Sequence, residues 1–150
     1  MIMPRKYRMV EMRMLAEWLS ENYLDYEVRI REWLGPTPEA EELKRAGVSP
    51  NVMMPFGGGW ADAIILAPDW TRIVEACVIL DTRHVGALEG YVKLFQATPR
   101  YSSRLVKPVI PVLLYAYPRK IAYDMAKEKG FELVEYRKPW IEEYLKEVLG

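Results

Sequence analysis

The chain has 150 residues, 51% hydrophobic and 28% charged, which predicts one compact domain rather than a disordered tail or a repeat array. Basic and acidic residues both number 21, so the formal net charge is zero; wholesale attraction to nucleic acid or an anionic membrane is not expected, and phosphate binding needs a local patch. A single cysteine, Cys77, and a single histidine, His84, exclude intrachain disulfides, zinc knuckles and two-histidine mechanisms. The strongest apolar run, residues 109–117, is too short to cross a bilayer, and residues 1–9 hold no signal-peptide core, so a cytoplasmic protein without membrane contact is expected. One glutamine and two asparagines among many charges is a balance found in hyperthermophile proteins, against which eight methionines weigh.

In chain order, residues 4–23 read as an amphipathic helix: Tyr7, Val10, Met14, Leu15, Trp18 and Leu19 cluster on one side, and Glu11 falls inside that stripe. Residues 26–33 alternate like a half-exposed strand, ended by Leu34-Gly35-Pro36. Residues 39–45 suit a short polar helix, and the stretch from Gly47 to Gly57-Gly58-Gly59 a loop. Residues 61–67 and 72–80 form two apolar strands of a tight hairpin. A helix over 85–96, stopped by Thr98-Pro99, leads to a buried strand at 108–116 and a helix at 118–129 ended by Gly130. A strand at 131–136 and a helix at 139–149 complete an α/β chain of order α-β-β-β-α-β-α-β-α, with a mixed central sheet flanked by helices.

The two hairpin strands are apolar on both faces, yet each carries one acid, Asp62 and Glu75. Pairing Ala67 with Arg72 sets Asp62 opposite Cys77 and Ile64 opposite Glu75, making the acids diagonal neighbours about 7 to 8 Å apart. Two buried carboxylates share a proton unless a cation neutralises them, and magnesium or manganese meets that need with oxygen ligands; Glu11 could supply a third. The alternative is a pair of acids at strand ends with basic partners.

At these residues the chain resembles the PD-(D/E)XK nuclease superfamily, in particular its small archaeal members with an acid in the first helix. The correspondence runs from VEMRMLAEWL through YEVRIREWLGP and WADAIIL to IVEACVIL and ALEGYVKLFQ. The resemblance implies a restriction-endonuclease-like core and magnesium-dependent hydrolysis of phosphodiester bonds in DNA. It assigns Glu11, Asp62 and Glu75 as metal ligands, with Asp62 and Glu75 catalytic. It leaves room for a homodimer. The family places a lysine two residues after the strand acid; here Cys77 stands there, giving EAC. Lys93, on one flank of the next helix with Glu89 and Gln96, is the candidate to take over, or else an ordinary surface partner of Glu89. Gln96 lines the same site or is simply solvated. A catalytically inactive nuclease fold, kept as a nucleic-acid-binding or protein-interaction module, is the alternative function.

Arg100, Arg104 and Lys107, interleaved with Tyr101, Ser102 and Ser103, form a basic hydroxyl-rich loop able to touch a phosphate backbone, or an ordinary solvated loop. Cys77, Asp81 and His84 lack the local pattern of a thiol nucleophile, so Cys77 reads as a buried small residue. The glycine triplet matches neither a Walker loop nor a dinucleotide fingerprint and reads as a mobile loop beside the acids. Trp18 is expected in the core, while Trp60, Trp70 and Trp140 could be stacking surfaces or helix anchors.

Overall fold

The computed structural model describes residues 5–35 and 58–150; the helix expected over 39–45 and the loop before Gly58 lie outside the described residues. The elements are α1 (Arg5–Asn22), β1 (Glu27–Leu34), β2 (Gly59–Leu66), β3 (Thr71–Leu80), α2 (Thr82–Gln96), a 3-10 helix (Pro99–Val106), β4 (Val109–Pro118), α3 (Lys120–Glu128), β5 (Glu132–Glu135) and α4 (Pro139–Leu149). The described strands form one sheet in the order β1-β2-β3-β4-β5. The β1-β2 and β2-β3 pairs are antiparallel and the β3-β4 and β4-β5 pairs parallel, giving the mixed sheet expected. The one element added is the 3-10 helix, begun by Pro99 where a loop was expected.

Each face of the sheet has its own core. On one, α1 brings Met14, Leu15, Trp18 and Leu19 and α4 brings Ile141, Tyr144 and Leu145 against Ala63, Val74, Ala76 and Val112. On the other, Val85, Leu88 and Phe95 of α2 and Ala122 and Ala126 of α3 pack on Ile64, Ile73, Cys77 and Leu113. Strands β3 and β4 are covered on both sides, which is why they read as unbroken apolar runs. Helix α2 opens with a reciprocal cap: the Asp81 carboxylate accepts the Arg83 N–H at 2.9 Å, and His84 Nδ1 accepts the Asp81 N–H at 3.0 Å. The tryptophans act as anchors: Trp140 Nε1 donates to Glu17 at 3.1 Å beneath the Arg13 guanidinium, and Trp70 packs on Tyr23, Tyr26 and Arg72.

The hairpin register corrects the sequence expectation. Leu66 pairs with Thr71 and Ala63 with Val74, and the Ala67 N–H donates to the Trp70 carbonyl at 3.0 Å, so the turn is the two residues Pro68 and Asp69. Each residue keeps its expected face, but Asp62 comes level with Glu75 instead of Cys77. Period-two patterning cannot set register in strands apolar on both faces. The turn is held from outside by the 3-10 helix: Arg104 donates to the Ala67 carbonyl, to the Trp70 carbonyl at 2.7 Å and to Thr71 Oγ1 at 3.0 Å, and Lys107 donates to the Pro68 carbonyl.

A second irregularity lies between β1 and β2. Their ladder pairs Ile30 with Ala63 and Glu32 with Ala61 but omits the rung between, where Arg31 faces Asp62. Arg31 has φ 53°, the left-handed region that an arginine rarely adopts. On either side of this rung the alternation reverses: Val28, Ala63 and Ile65 face α1, whereas Leu34 and Ala61 join the α2 core. Close by, a Cβ at Gly58 would overlap the Trp33 ring, so glycine is required where the chain enters β2.

Arg104→Ala removes three hydrogen bonds at the β2-β3 turn at once, taking their side-chain donor from the Ala67 carbonyl and Thr71 Oγ1 while the Trp70 carbonyl keeps the Ala67 N–H. Because partly buried groups left unpaired cost more than the bond itself, this variant should lose about 2 kcal/mol in urea unfolding with an unchanged m-value. A loss below about 0.5 kcal/mol would show that Lys107 alone holds the turn.

Candidate functional site

The β2-β3 ladder stops at Ala63 and Val74, and beyond it the strands part. The backbone N–H of Ala76 donates instead to Asp62 Oδ2 at 2.8 Å. A side chain thus closes the gap in the ladder, which fixes the Asp62 carboxyl at the mouth of the opening. Glu75, on β3, turns into the same opening and is 8% exposed. Its carboxyl is in hydrogen-bonding contact with Asp62; burial, then Asp62, then Glu11 hold its pKa far above the usual carboxylate range, so it carries a proton at neutral pH.

Glu11 approaches from the other wall. It lies on the stripe of α1 that faces the sheet, one turn after Tyr7, whose hydroxyl accepts the Ile79 N–H at 3.2 Å. Burial, reinforced by Asp62 and opposed by Arg8, pushes Glu11 from an ordinary value of 4.5 to about 8. Ala63 and Ala76 line the sheet under α1, and small residues there let the helix sit close. None of the three acids forms an ion pair with a described residue, so among the described residues no basic partner holds them.

The cleft around these acids encloses about 310 Å³ and is closed on its far side by Arg83, His84 and Tyr91 of α2. It runs on into a groove of about 300 Å³ between α1 and β1, lined by Arg8, Met12, Ile30 and Arg31 and sharing Glu11 and Asp62. Burial lowers the pKa of His84, and with Nδ1 accepting from Asp81 the neutral ring carries its proton on Nε2. Burial, then Glu75 and Asp62, raise that of Tyr91, which stays a neutral hydroxyl. The sequence pointed to His84 only beside Cys77 and Asp81, and did not single out Arg31, Arg83 or Tyr91. The helical spacing of His84, Ala87 and Tyr91 was the available signal, masked because His84 also serves as a cap.

The donor set fits a hard divalent cation: it is all oxygen, and its two glutamate carboxyls are both raised by burial and by Asp62, Glu75 also by Glu11. Among the described residues no three acidic, histidine or cysteine side chains already stand together as a ligand set. Asp62 and Glu75 are therefore the pair in place, with Glu11 facing them.

Other expected site residues lie elsewhere. Cys77 shares a β3 face with Glu75 but is fully buried in the α2 core; burial pushes its thiol up. The expectation that position 77 points at Asp62 is corrected by the register. Lys93 and Gln96 are exposed and lie round α2 from His84, Ala87 and Tyr91, away from the cleft, while Glu89 pairs with Lys129 at 2.6 Å rather than with Lys93. Arg100 pairs with Glu32 at 2.7 Å and donates to the Trp33 carbonyl, and Arg104 and Lys107 hold the β2-β3 turn, about 17 Å along β2 from Asp62 at some 3.4 Å per residue. No described helix is long and apolar enough to cross a membrane.

No protein-family model matches the chain, and no curated protein matches it significantly. Among solved structures it is similar to the crystal structure of a repair endonuclease from Pyrococcus abyssi, at 14% identity and a TM-score of 0.49, over 85% of this chain and 47% of that one. The chain spans about half the length of that protein.

The raised carboxyls set a pH dependence. Between pH 7.5 and 9.5 His84 is neutral in the folded state and almost wholly neutral in the unfolded one, whereas Glu75, and Glu11 until pH passes about 8, retain protons only in the folded state. Their stability is full below about pH 4.5 and is lost as pH rises through the folded values, so Tm in chelator should fall by roughly 3 °C or more across this window. Glu11→Gln should flatten that slope; a Tm that rises with pH in the wild type would contradict the acid cluster.

Proposed function

We propose that the protein is a divalent-metal-dependent nuclease that hydrolyses phosphodiester bonds in DNA. The observation that carries this reading is the Asp62-Glu75 pair, set where β2 and β3 part, faced by Glu11 and unpaired with any described cation. Buried carboxyls held together without a partner are costly, and a cation is what relieves that cost. The resemblance to the PD-(D/E)XK superfamily supports the same ligands. Asp62 and Glu75, with Glu11 joining them, would hold magnesium or manganese, which would supply positive charge to polarise a phosphate oxygen and acidify an attacking water.

The chain's own residues do the rest. Asp62, fixed by the Ala76 N–H, is the rigid member of the pair, and Glu75 would have to release its proton to solvent to serve as a ligand. His84 Nε2 and the Tyr91 hydroxyl are the neutral donors on the opposite wall, placed to bind phosphate oxygens without adding charge. The second reading, an inactive DNA-binding module, is favoured by one observation: Cys77, at the family's lysine position, is sealed in the core and offers nothing to the cleft.

Incubation of the purified chain with end-labelled duplex, single-stranded and branched DNA, with magnesium or manganese and with chelator, separates the two. Cleavage should require metal and fall roughly 100-fold or more in Glu75→Ala. At pH 8 the metal should also raise Tm, and Asp62→Asn should abolish that rise. Equal cleavage by wild type and Glu75→Ala would remove the nuclease reading, and binding without cleavage would establish the module.

A further inference from the structure

An anionic DNA backbone cannot settle against three acids unless a cation of the protein meets it, and the cleft offers three arginines. Arg83 is committed: its Nε and Nη2 bond both oxygens of Asp81 at 2.8 to 3.2 Å. Arg8, exposed on α1, counters the charge of Glu11. Arg8, like Arg31, forms no hydrogen bond or ion pair with a described residue, but it sits on ordinary helical backbone. Arg31 differs from both in its backbone and its place opposite Asp62. It faces Asp62 on the rung missing from the β1-β2 ladder, lines the groove with Asp62 and Glu11, and forms no hydrogen bond or ion pair with a described residue. Its guanidinium stands 5.7 Å from the Trp60 ring centroid, and its charge reaches the Tyr91 hydroxyl on the far wall. It is also the sole described non-glycine residue with positive φ. Glycine would hold that backbone without strain, so an arginine there, unpaired and aimed into the groove, marks a side chain kept for what it binds.

We propose that Arg31 is the DNA phosphate contact of this cleft, gripping the backbone in the α1-β1 groove so that the neighbouring phosphodiester lies over Asp62 and Glu75. The inference rests on the nuclease reading for the site but needs only DNA binding for its test. A guanidinium suits the task, since its fork bonds two phosphate oxygens and stays charged. The contact reads no base, so it confers affinity and path without sequence preference.

The test is fluorescence anisotropy with a labelled DNA duplex, in a Glu75→Gln background with magnesium so that bound DNA stays intact, comparing Arg31, Arg31→Gly and Arg31→Lys over a salt series. Arg31→Gly should raise Kd about tenfold and lower the slope of log K against log salt by about 0.9, the signature of one lost phosphate contact. Its Tm should hold or rise, because the left-handed backbone is relaxed. Arg31→Lys should keep the slope and stay within about threefold of the parent Kd. An unchanged Kd and slope in Arg31→Gly overturns the proposal, as does weaker binding that merely follows a fall in Tm, or a parent that binds no DNA. Arg31-dependent binding by a wild type that never cleaves DNA leaves the contact standing and removes the nuclease reading. Cleavage by the wild type with Arg31-independent binding does the reverse.

Discussion

The parting of β2 and β3 at Asp62 governs the rest of the molecule's chemistry. Had the ladder continued one more rung, Asp62 and Glu75 would flank ordinary backbone pairs and no cleft would exist. Instead the Ala76 N–H is handed to the Asp62 carboxyl at 2.8 Å, which satisfies the donor, locks the side chain and leaves Glu75 turned into the gap. The same opening admits α1, whose inward stripe carries Glu11 over the small Ala63 and Ala76.

That arrangement strains the fold in two ways. Three carboxyls share one low-dielectric cleft, and Arg31 holds a backbone conformation better suited to glycine. Each costs stability that the two cores on either side of the sheet offset. Sites where local rules break while the surroundings obey them are where function concentrates, and both violations meet at the single rung between Arg31 and Asp62. The other basic residues illustrate the contrast. Arg100, Arg104 and Lys107 satisfy carbonyls, a hydroxyl and a carboxylate of the fold, so they make the platform rigid while Arg31 remains unpaired among the described residues.

Element order was legible because local signals agreed with tertiary demand. Thr98-Pro99 and Gly130 end helices, the stripe from Tyr7 to Leu19 packs as its period requires, and β3 and β4 are buried because both their faces are apolar. Glu11, Asp62 and Glu75 stood out for the same reason: an acid in an apolar pattern is conspicuous in one dimension. The sequence by itself therefore determined the α/β order, the mixed sheet and the identity of the three acids. It could not determine register, since strands apolar on both faces pair equally well when shifted by two. It could not tell a basic side chain that binds the fold's own carbonyls from one left open, because carbonyls have no letter in the sequence. The burial of Cys77 was legible, but the sequence could not show that Arg31 occupies left-handed space or that Arg83, His84 and Tyr91 reach the acids. Those are properties of how α1, α2 and the parted strands meet, and only the tertiary structure decided them.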